Sequence, residues 1–384
     1  MLKDISIDEL IPGMYVSQVV EQTGTMRVRS GGLVKTQNVI EQLRKKGIVR
    51  VEVDYARSRL GGSNSKSAKP VTSAGLAKAN TLYTEAISIQ RGVLEQLKSR
   101  SADDIAGTEQ LAQHIIDGVF ENQDALACLT MIKNTDEYML EHSINCSILM
   151  AIFARHQGYD RATIDTLCTG ALLMDVGMSM IPEHFRHKDA VLSEKDWQTI
   201  QSHVPKGLAL VSHFSDLDAS VTDIIAQHHE RVDGSGYPNK LQNDAISIFA
   251  RMAAIVDSYD AMISNRTHQR GVTAAVAMKR LTANEGLDQN LVRQFIRSLG
   301  VHPVGSLVKL NSGRLAMVVQ SNSDEMHKPV VMTFYSMHSN NYSEVKRVDL
   351  AKANDRIEAA VRPDDFGINL PKFFRDVFIH QLPG

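Results

Sequence analysis

From about residue 75 to residue 300, apolar side chains recur at three- and four-residue spacing. That period buries one stripe of an α-helix and does not suit a half-buried strand, so it commits the middle of the chain to packed helices. Helices are expected at 76–97, 105–120, 136–157, 161–175, 193–202, 219–230, 246–263, 272–284 and 288–299. Ser193-Glu194-Lys195-Asp196 resembles a capping box with aspartate in the box position. Asp233-Gly234-Ser235-Gly236-Tyr237-Pro238 interrupts the pattern, because two glycines and a proline in six residues demand a tight loop.

The flanks change period. Residues 1–55 read as a small α/β domain, with a turn at Ile11-Pro12-Gly13 entering a strand, a helix from Val34 to Lys46 closed by Gly47, and a strand over Ile48–Val53. Residues 56–75 read as a flexible linker, since Gly61 to Pro70 is small, polar and rich in breakers. Residues 76–300 form the helical domain. Residues 301–384 form a β-rich C-terminal module, with a hairpin of Ser306–Leu310 and Leu315–Val319 and a further strand over Val330–Tyr335. The last ~20 residues suit either a tail or a docking helix. The expected fold class is mainly α, and 384 residues suit two or three domains of roughly 150 residues each.

Lys and Arg total 42 against 44 Asp and Glu, a formal net charge of −2 that argues against DNA or RNA as a partner. No apolar run approaches the ~18 residues of a membrane helix, so no membrane association is expected. The opening residues lack the apolar core of a signal peptide. Cys128, Cys146 and Cys168 have no paired spacing and are expected to be reduced and buried, which suits a cytoplasmic location.

Histidine is the unusual component. Nine of the 14 histidines lie between residues 142 and 268. Imidazole and carboxylate are the usual donors for iron, manganese or zinc. His142, Asp175, His203, His228, His229 and Asp257 each fall in or at the end of an expected helix, with gaps of about 25 to 33 residues. Such gaps let successive antiparallel helices return to one point. Taken singly, a helical histidine is more often a satisfied polar group than a ligand. The adjacent His228-His229 before a glycine-rich loop is the most specific element.

The run His228-His229-Glu230-Arg231-Val232-Asp233-Gly234-Ser235-Gly236-Tyr237-Pro238 resembles the signature of the HD-GYP family, a branch of the HD superfamily of metal-dependent phosphohydrolases. The resemblance extends over roughly residues 125–300. It takes in His142-Ser143, Leu172 to Gly177, Ile181-Pro182, Lys188, His203 with Gly207, and Asp257 to Met262. Residues 1–55 resemble, more weakly, a small domain that often precedes such modules. The resemblance implies an HD-type helical bundle and metal-dependent hydrolysis of cyclic di-GMP to pGpG or GMP. It implies that Asp175 bridges two metals, iron or manganese, and is central to catalysis. His203, His228 and His229 would complete one metal; His142 and Asp257 would hold the other. Lys188, Arg231, Asp233, Gly234, Gly236, Tyr237 and Pro238 would line the substrate or partner side, and Arg266 would bind phosphate. A diguanylate cyclase of the GGDEF family and a second copy of the chain are the implied protein partners.

The chain departs from the family pattern at four places. Met174 stands where the family has the histidine of its His-Asp doublet, and a thioether is a poor ligand for these metals. Met178 replaces a lysine that meets the substrate phosphate. Tyr138 replaces a carboxylate found in members with a third metal, and Gln269 replaces an arginine, with Arg270 next to it. Met174 and Met178, four residues apart, are expected to pack on one helical turn. Two functions remain open: a phosphodiesterase with an altered metal centre, or a regulatory module that binds cyclic di-GMP or a cyclase without efficient turnover.

Overall fold

The computed structural model describes residues 2–7, 10, 13–23, 31–34, 36–54, 71–99, 101, 104–132, 138–186, 193–214, 216–265, 270–322, 324–368 and 373. The turn expected at Ile11-Pro12 and three-quarters of the linker lie outside these residues, as does most of the C-terminal tail. The described residues form two compact units, one joining the N-terminal residues with 153–164, the other holding residues 71–152 and those from 165 onward.

The first unit is built on an antiparallel sheet of order β1-β4-β2-β3, with β1 at Leu2–Ser6, β2 at Tyr15–Gln22, β3 at Gly32–Leu33 and β4 at Ile48–Asp54. On β4, Val51 and Val53 are fully buried while the residues beside them are not, the alternation of a strand with one face on a core. Helix α1 (Gln37–Lys45) buries Ile40 against the same core. Gly47 follows at φ +78°, where a side chain would be strained, and its amide donates to the Arg44 carbonyl at 2.8 Å.

The second unit is mainly helical. Its helices are α2 (Ser73–Ser99), α3 (Ala106–Thr130), α4 (Tyr138–His156), α5 (Arg161–Leu173), α6 (Glu183–Arg186), α7 (Glu194–Gln201), α8 (His203–Val211), α9 (Ala219–Gln227), α10 (Ile248–Ile263), α11 (Ala274–Ala283) and α12 (Gln289–Leu299). The ends of α4 and α5 nearest each other belong to the first unit. The capping box of α7 is present: the Asp196 carboxylate accepts from the Ser193 amide at 2.8 Å, and the Ser193 hydroxyl accepts from the Asp196 amide at 3.2 Å. Helix α10 is buried on nearly every side, with Met252, Ala253, Ile255, Val256 and Tyr259 inaccessible.

Three departures from the sequence reading have local causes. Helix α3 runs past residue 120, because non-helical Asn122 kinks the chain and its side chain accepts from the Ala125 amide at 3.1 Å, starting a new helical segment. Helix α9 stops at Gln227, leaving His228 as its C-cap. Helix α5 stops at Leu173, and Asp175 opens a 3-10 helix over Val176–Met180, so Met174 and Met178 do not share one α-helical turn.

The C-terminal sheet has order β8-β7-β6-β5-β9, with β5 at Leu307–Leu310, β6 at Arg314–Gln320, β7 at Val330–Ser336, β8 at Asn341–Asp349 and β9 at Ile357–Ala360. Every pair is antiparallel. This sheet packs on α3. Buried Asp124 accepts from the Ser321 amide at 3.1 Å and from its hydroxyl at 3.1 Å, and Gly305, at φ +91°, lies so close to the Cys128 carbonyl that a side chain would not fit. The three cysteines are buried and free. Among the described residues no helix is long and apolar enough to cross a membrane.

Candidate metal centre

Five elements deliver side chains to one point in the second unit. His142 sits in the second turn of α4, Asp175 at the start of the 3-10 helix, and His203 on the first residue of α8. His228 and His229 follow α9, and Asp257 lies on α10. Donor atoms of Asp175, His203, His228 and His229 all lie within 4.8 Å of one another, and so do those of His142, Asp175 and Asp257. The six metal-ligand candidates named from the sequence therefore converge, with Asp175 common to both groups.

Close backbone packing sets the spacing. Gly177 leaves room for the main chain of α8, since a Cβ there would collide with the His203 carbonyl oxygen and the Gly207 amide. Asp175 and His203 are thus held by backbone against backbone.

Hydrogen bonds then fix which ring nitrogen faces inward. His203 Nδ1 lies 2.7 Å from the Ile200 carbonyl, and His228 Nδ1 lies 3.1 Å from the Ile224 and Ile225 carbonyls. A carbonyl only accepts, so each Nδ1 carries a hydrogen, and in the neutral ring each Nε2 presents a lone pair. Those lone pairs lie 3.5 Å apart and face Asp175 Oδ1 at 3.3 and 3.7 Å. His142 Nδ1 donates to Asp260 Oδ2 at 2.7 Å, which turns its Nε2 toward Asp175 Oδ2 at 3.4 Å and Asp257 Oδ1 at 3.2 Å. His229 Nδ1 lies 3.7 Å from Asp257 Oδ2.

Acceptors that face acceptors repel unless a proton or a metal ion lies between them, and in the metal-free site His142 and His228 can supply the proton. The imidazole and carboxylate donors fit a divalent transition metal at the four-donor position, and a second at the three-donor position.

The electrostatics agree. Burial disfavours charge on each group, yet the Asp175 carboxyl is held well below its ordinary value by hydrogen bonds to His142 and His228 and by the nearby His203. Asp257 is likewise lowered against burial by His142 and His229. Burial pushes the His203 and His229 imidazoles down, the latter strongly with help from His228. His142 is raised against burial by Cys146, Tyr138, Asp175 and Asp257, and His228 is raised chiefly by Asp175. The field that draws a proton to these two rings also draws a metal ion.

The glycine-rich loop folds back on this centre. Tyr237 stacks on His229 with ring centroids 4.6 Å apart. Gly236 lies against Glu230 and Arg231, where a Cβ would collide with the main chain, and Gly234 adopts φ +80°. Arg231 donates to the His228 and Glu230 carbonyls at 3.2 and 2.8 Å, and Asp233 accepts from the Ser235 amide and hydroxyl at 2.9 and 2.7 Å. Both are engaged within the loop. Pro238 is exposed after a cis peptide bond.

Of the departures from the family pattern, Met174 is buried at 1% exposure and offers neither nitrogen nor oxygen, while Met178 is half-buried. Tyr138 stacks on the His142 ring with centroids 5.5 Å apart. Lys188, Arg266 and Gln269 lie outside the described residues.

Two residues escaped the sequence reading of the site. Buried Glu230 accepts from the Asn239 and Leu241 amides at 2.7 and 2.9 Å and so clasps the loop shut. Asp260 holds His142, and its position three residues after Asp257 on a helix is the signal that could have found it.

Residues 127–291 match the family model described as an HD domain, and residues 2–108 match a domain of unknown function, DUF3391. A cyclic di-GMP phosphodiesterase of Pseudomonas aeruginosa is 29% identical over 378 residues, covering 93% of this chain and 91% of that one. A 3'3'-cGAMP-specific phosphodiesterase of Vibrio cholerae is 31% identical over 155 residues, 40% of this chain and 29% of that one. Among solved structures, the HDG"Y"P protein of Bdellovibrio bacteriovorus aligns with a TM-score of 0.50 at 18% identity, over 77% of this chain and 98% of that one. Residues 127–291 thus match an HD domain, within a chain that is mainly α with small sheets in its N- and C-terminal regions. Over this region the chain is similar to HD-GYP proteins, with Met174 preceding Asp175 where their signature has a histidine.

Proposed function

We propose that this chain is a metal-dependent phosphodiesterase that opens cyclic di-GMP to pGpG or GMP, slowed by methionine at positions 174 and 178. One observation carries the reading. The two oxygens of Asp175 face different donor groups, Oδ1 toward His203 and His228 and Oδ2 toward His142. A carboxylate so placed can be shared between two ions. Iron or manganese suits the mixed nitrogen and oxygen donors. Bound there, a divalent ion lowers the pKa of a coordinated water and neutralises charge on the attacked phosphate.

The protein's own groups supply the rest. His203, His228 and His229 complete the four-donor position around Asp175, and Asp257 and His142 form the three-donor one. Tyr237 covers one face of His229, and the Glu230 clasp keeps it there. The loop's exposed rim at Asp233, Ser235 and Pro238 is the surface we assign to a GGDEF-domain cyclase. A homodimer and a cytoplasmic location complete the reading. Arg266 is assigned to the substrate phosphate on sequence alone.

Met174 favours a second reading, a regulatory module that binds the nucleotide with little turnover. One experiment separates the two. Purified chain loaded with manganese or iron is incubated with cyclic di-GMP and, separately, 3'3'-cGAMP, beside His203→Ala. Metal-dependent formation of pGpG or GMP that His203→Ala abolishes is the expected result. Equal, metal-independent rates in both proteins would overturn the phosphodiesterase reading. Tight nucleotide binding without cleavage would establish the second.

A further inference from the structure

We propose that Asp260 is a positioning residue that keeps the three-donor metal position usable in spite of Met174. The proposal rests on the metal-centre reading above and adds a task for a buried carboxylate which that reading does not need.

Asp260 is fully buried on α10, one turn beyond Asp257. Its Oδ2 accepts from His142 Nδ1 at 2.7 Å and lies 3.4 Å from the Ser264 hydroxyl, which donates to the Asp260 carbonyl at 2.6 Å. The His142 ring sits between neighbours on its own helix. Tyr138 stacks on it four residues before, and Cys146 Sγ lies 3.7 and 3.8 Å from its ring nitrogens four residues after.

Those neighbours fix where the ring lies without fixing which way round it is. A half-turn about the bond to the ring would exchange Nδ1 with a carbon and Nε2 with a carbon. It would point C–H at Asp175 and Asp257 and take from the buried Asp260 carboxylate the short hydrogen bond that His142 donates. A buried carboxylate without its donor is strongly disfavoured. Asp260 therefore selects one ring orientation and one tautomer, with the hydrogen on Nδ1 and the Nε2 lone pair toward the metal position. A carboxylate behind an imidazole also makes it a stronger donor.

The selection matters more here than in a site with a full set of ligands. With methionine at 174, the second position has His142, Asp175 and Asp257. A flipped His142 would leave it two carboxylates, one of which also serves the other position.

The test compares wild type with Asp260→Asn and Asp260→Leu in two measurements. Long-range nitrogen–proton NMR of the metal-free full chain, at a pH high enough for the ring to be neutral, reads the His142 tautomer. Manganese titration followed by EPR reads the classes of metal site. The wild type should show hydrogen on Nδ1 and two classes, one tight and one weak. Asn at 260 can still accept from Nδ1, so it should keep the tautomer while weakening the weak class about 10- to 100-fold. Asp260→Leu should give mixed tautomers and lose the weak class, with the tight class unchanged. Hydrogen on Nε2 in the wild type, a single class in the wild type, or both classes unchanged or equally weakened in Asp260→Leu would each overturn the proposal. A wild type that binds no manganese would refute the metal-centre reading, and the NMR result would still decide whether Asp260 sets the ring.

Discussion

Replacing Asp124 by asparagine should stabilise the second unit at neutral pH and do nothing at pH 4. Asp124 follows the kink in α3, is 4% exposed, and accepts two hydrogen bonds from Ser321 at the end of β6. Those bonds favour the ionised form, yet burial outweighs them and lifts the carboxyl from 3.8 to about 6. A folded-state pKa raised above its unfolded value means that the folded chain holds the proton more tightly. Stability from this group is therefore greatest in acid and declines as pH rises through the window from 4 to 6. The rise corresponds to about 3 kcal/mol, fully expressed above pH 6. Asparagine keeps the shape, accepts from the Ser321 amide through Oδ1 and can donate to its hydroxyl through Nδ2, and it never ionises. Urea unfolding of both proteins at several pH values would measure the difference. At pH 8 the Asp124→Asn midpoint should lie about 1 M higher, for a slope of about 3 kcal/mol/M, and the two curves should merge near pH 4. A lower midpoint at pH 8, or a gain that persists at pH 4, would refute the assignment of a desolvated, ionised carboxylate to this contact.

Three further outcomes follow from the centre. Met174→His with Met178→Lys should raise manganese occupancy and, since one restored charge partner is worth about 2.7–4 kcal/mol in the transition state, raise kcat about 10²- to 10³-fold; no change in either quantity would show that these positions do not limit the site. Gly177→Ala should cost more than 3 kcal/mol by thermal unfolding and abolish metal uptake, because the added methyl drives α8 and His203 away from Asp175; wild-type stability would contradict the packing described. Glu230→Gln should leave one of the Asn239 and Leu241 amides unpaired, at a cost of about 1–3 kcal/mol. Hydrogen exchange at those two amides should quicken, and unchanged exchange would mean that the clasp does not hold the loop.

Much of the helical body was legible because its helices bury apolar stripes of the right period. Helix α10 begins at 248 against an expected 246 and ends at the expected 263. The N-terminal half of α3 was read and its C-terminal half was not, since the restart at Asn122 depends on a side-chain cap that periodicity ignores. Strand β8, with the sequence Asn-Tyr-Ser-Glu-Val-Lys-Arg-Val-Asp, is largely polar and exposed, and only pairing with β7 makes it a strand. The convergence of the six candidate donors was legible because their spacing and the His-His-loop run reinforce each other. Glu230 and Asp260 were not, because their tasks consist of hydrogen bonds to partners remote in sequence or on another helix. The inward turn of each imidazole was equally hidden, since it depends on which carbonyl or carboxylate lies behind the ring.

The backbone contact at Gly177 separates two things that enzymes usually couple. The place of the centre is written in main-chain atoms, where Gly177 meets His203 and Gly207. Met174 and Met178 stand in sequence on either side of that contact. Substitutions at these two positions that spare the backbone contact should therefore leave the centre where it is.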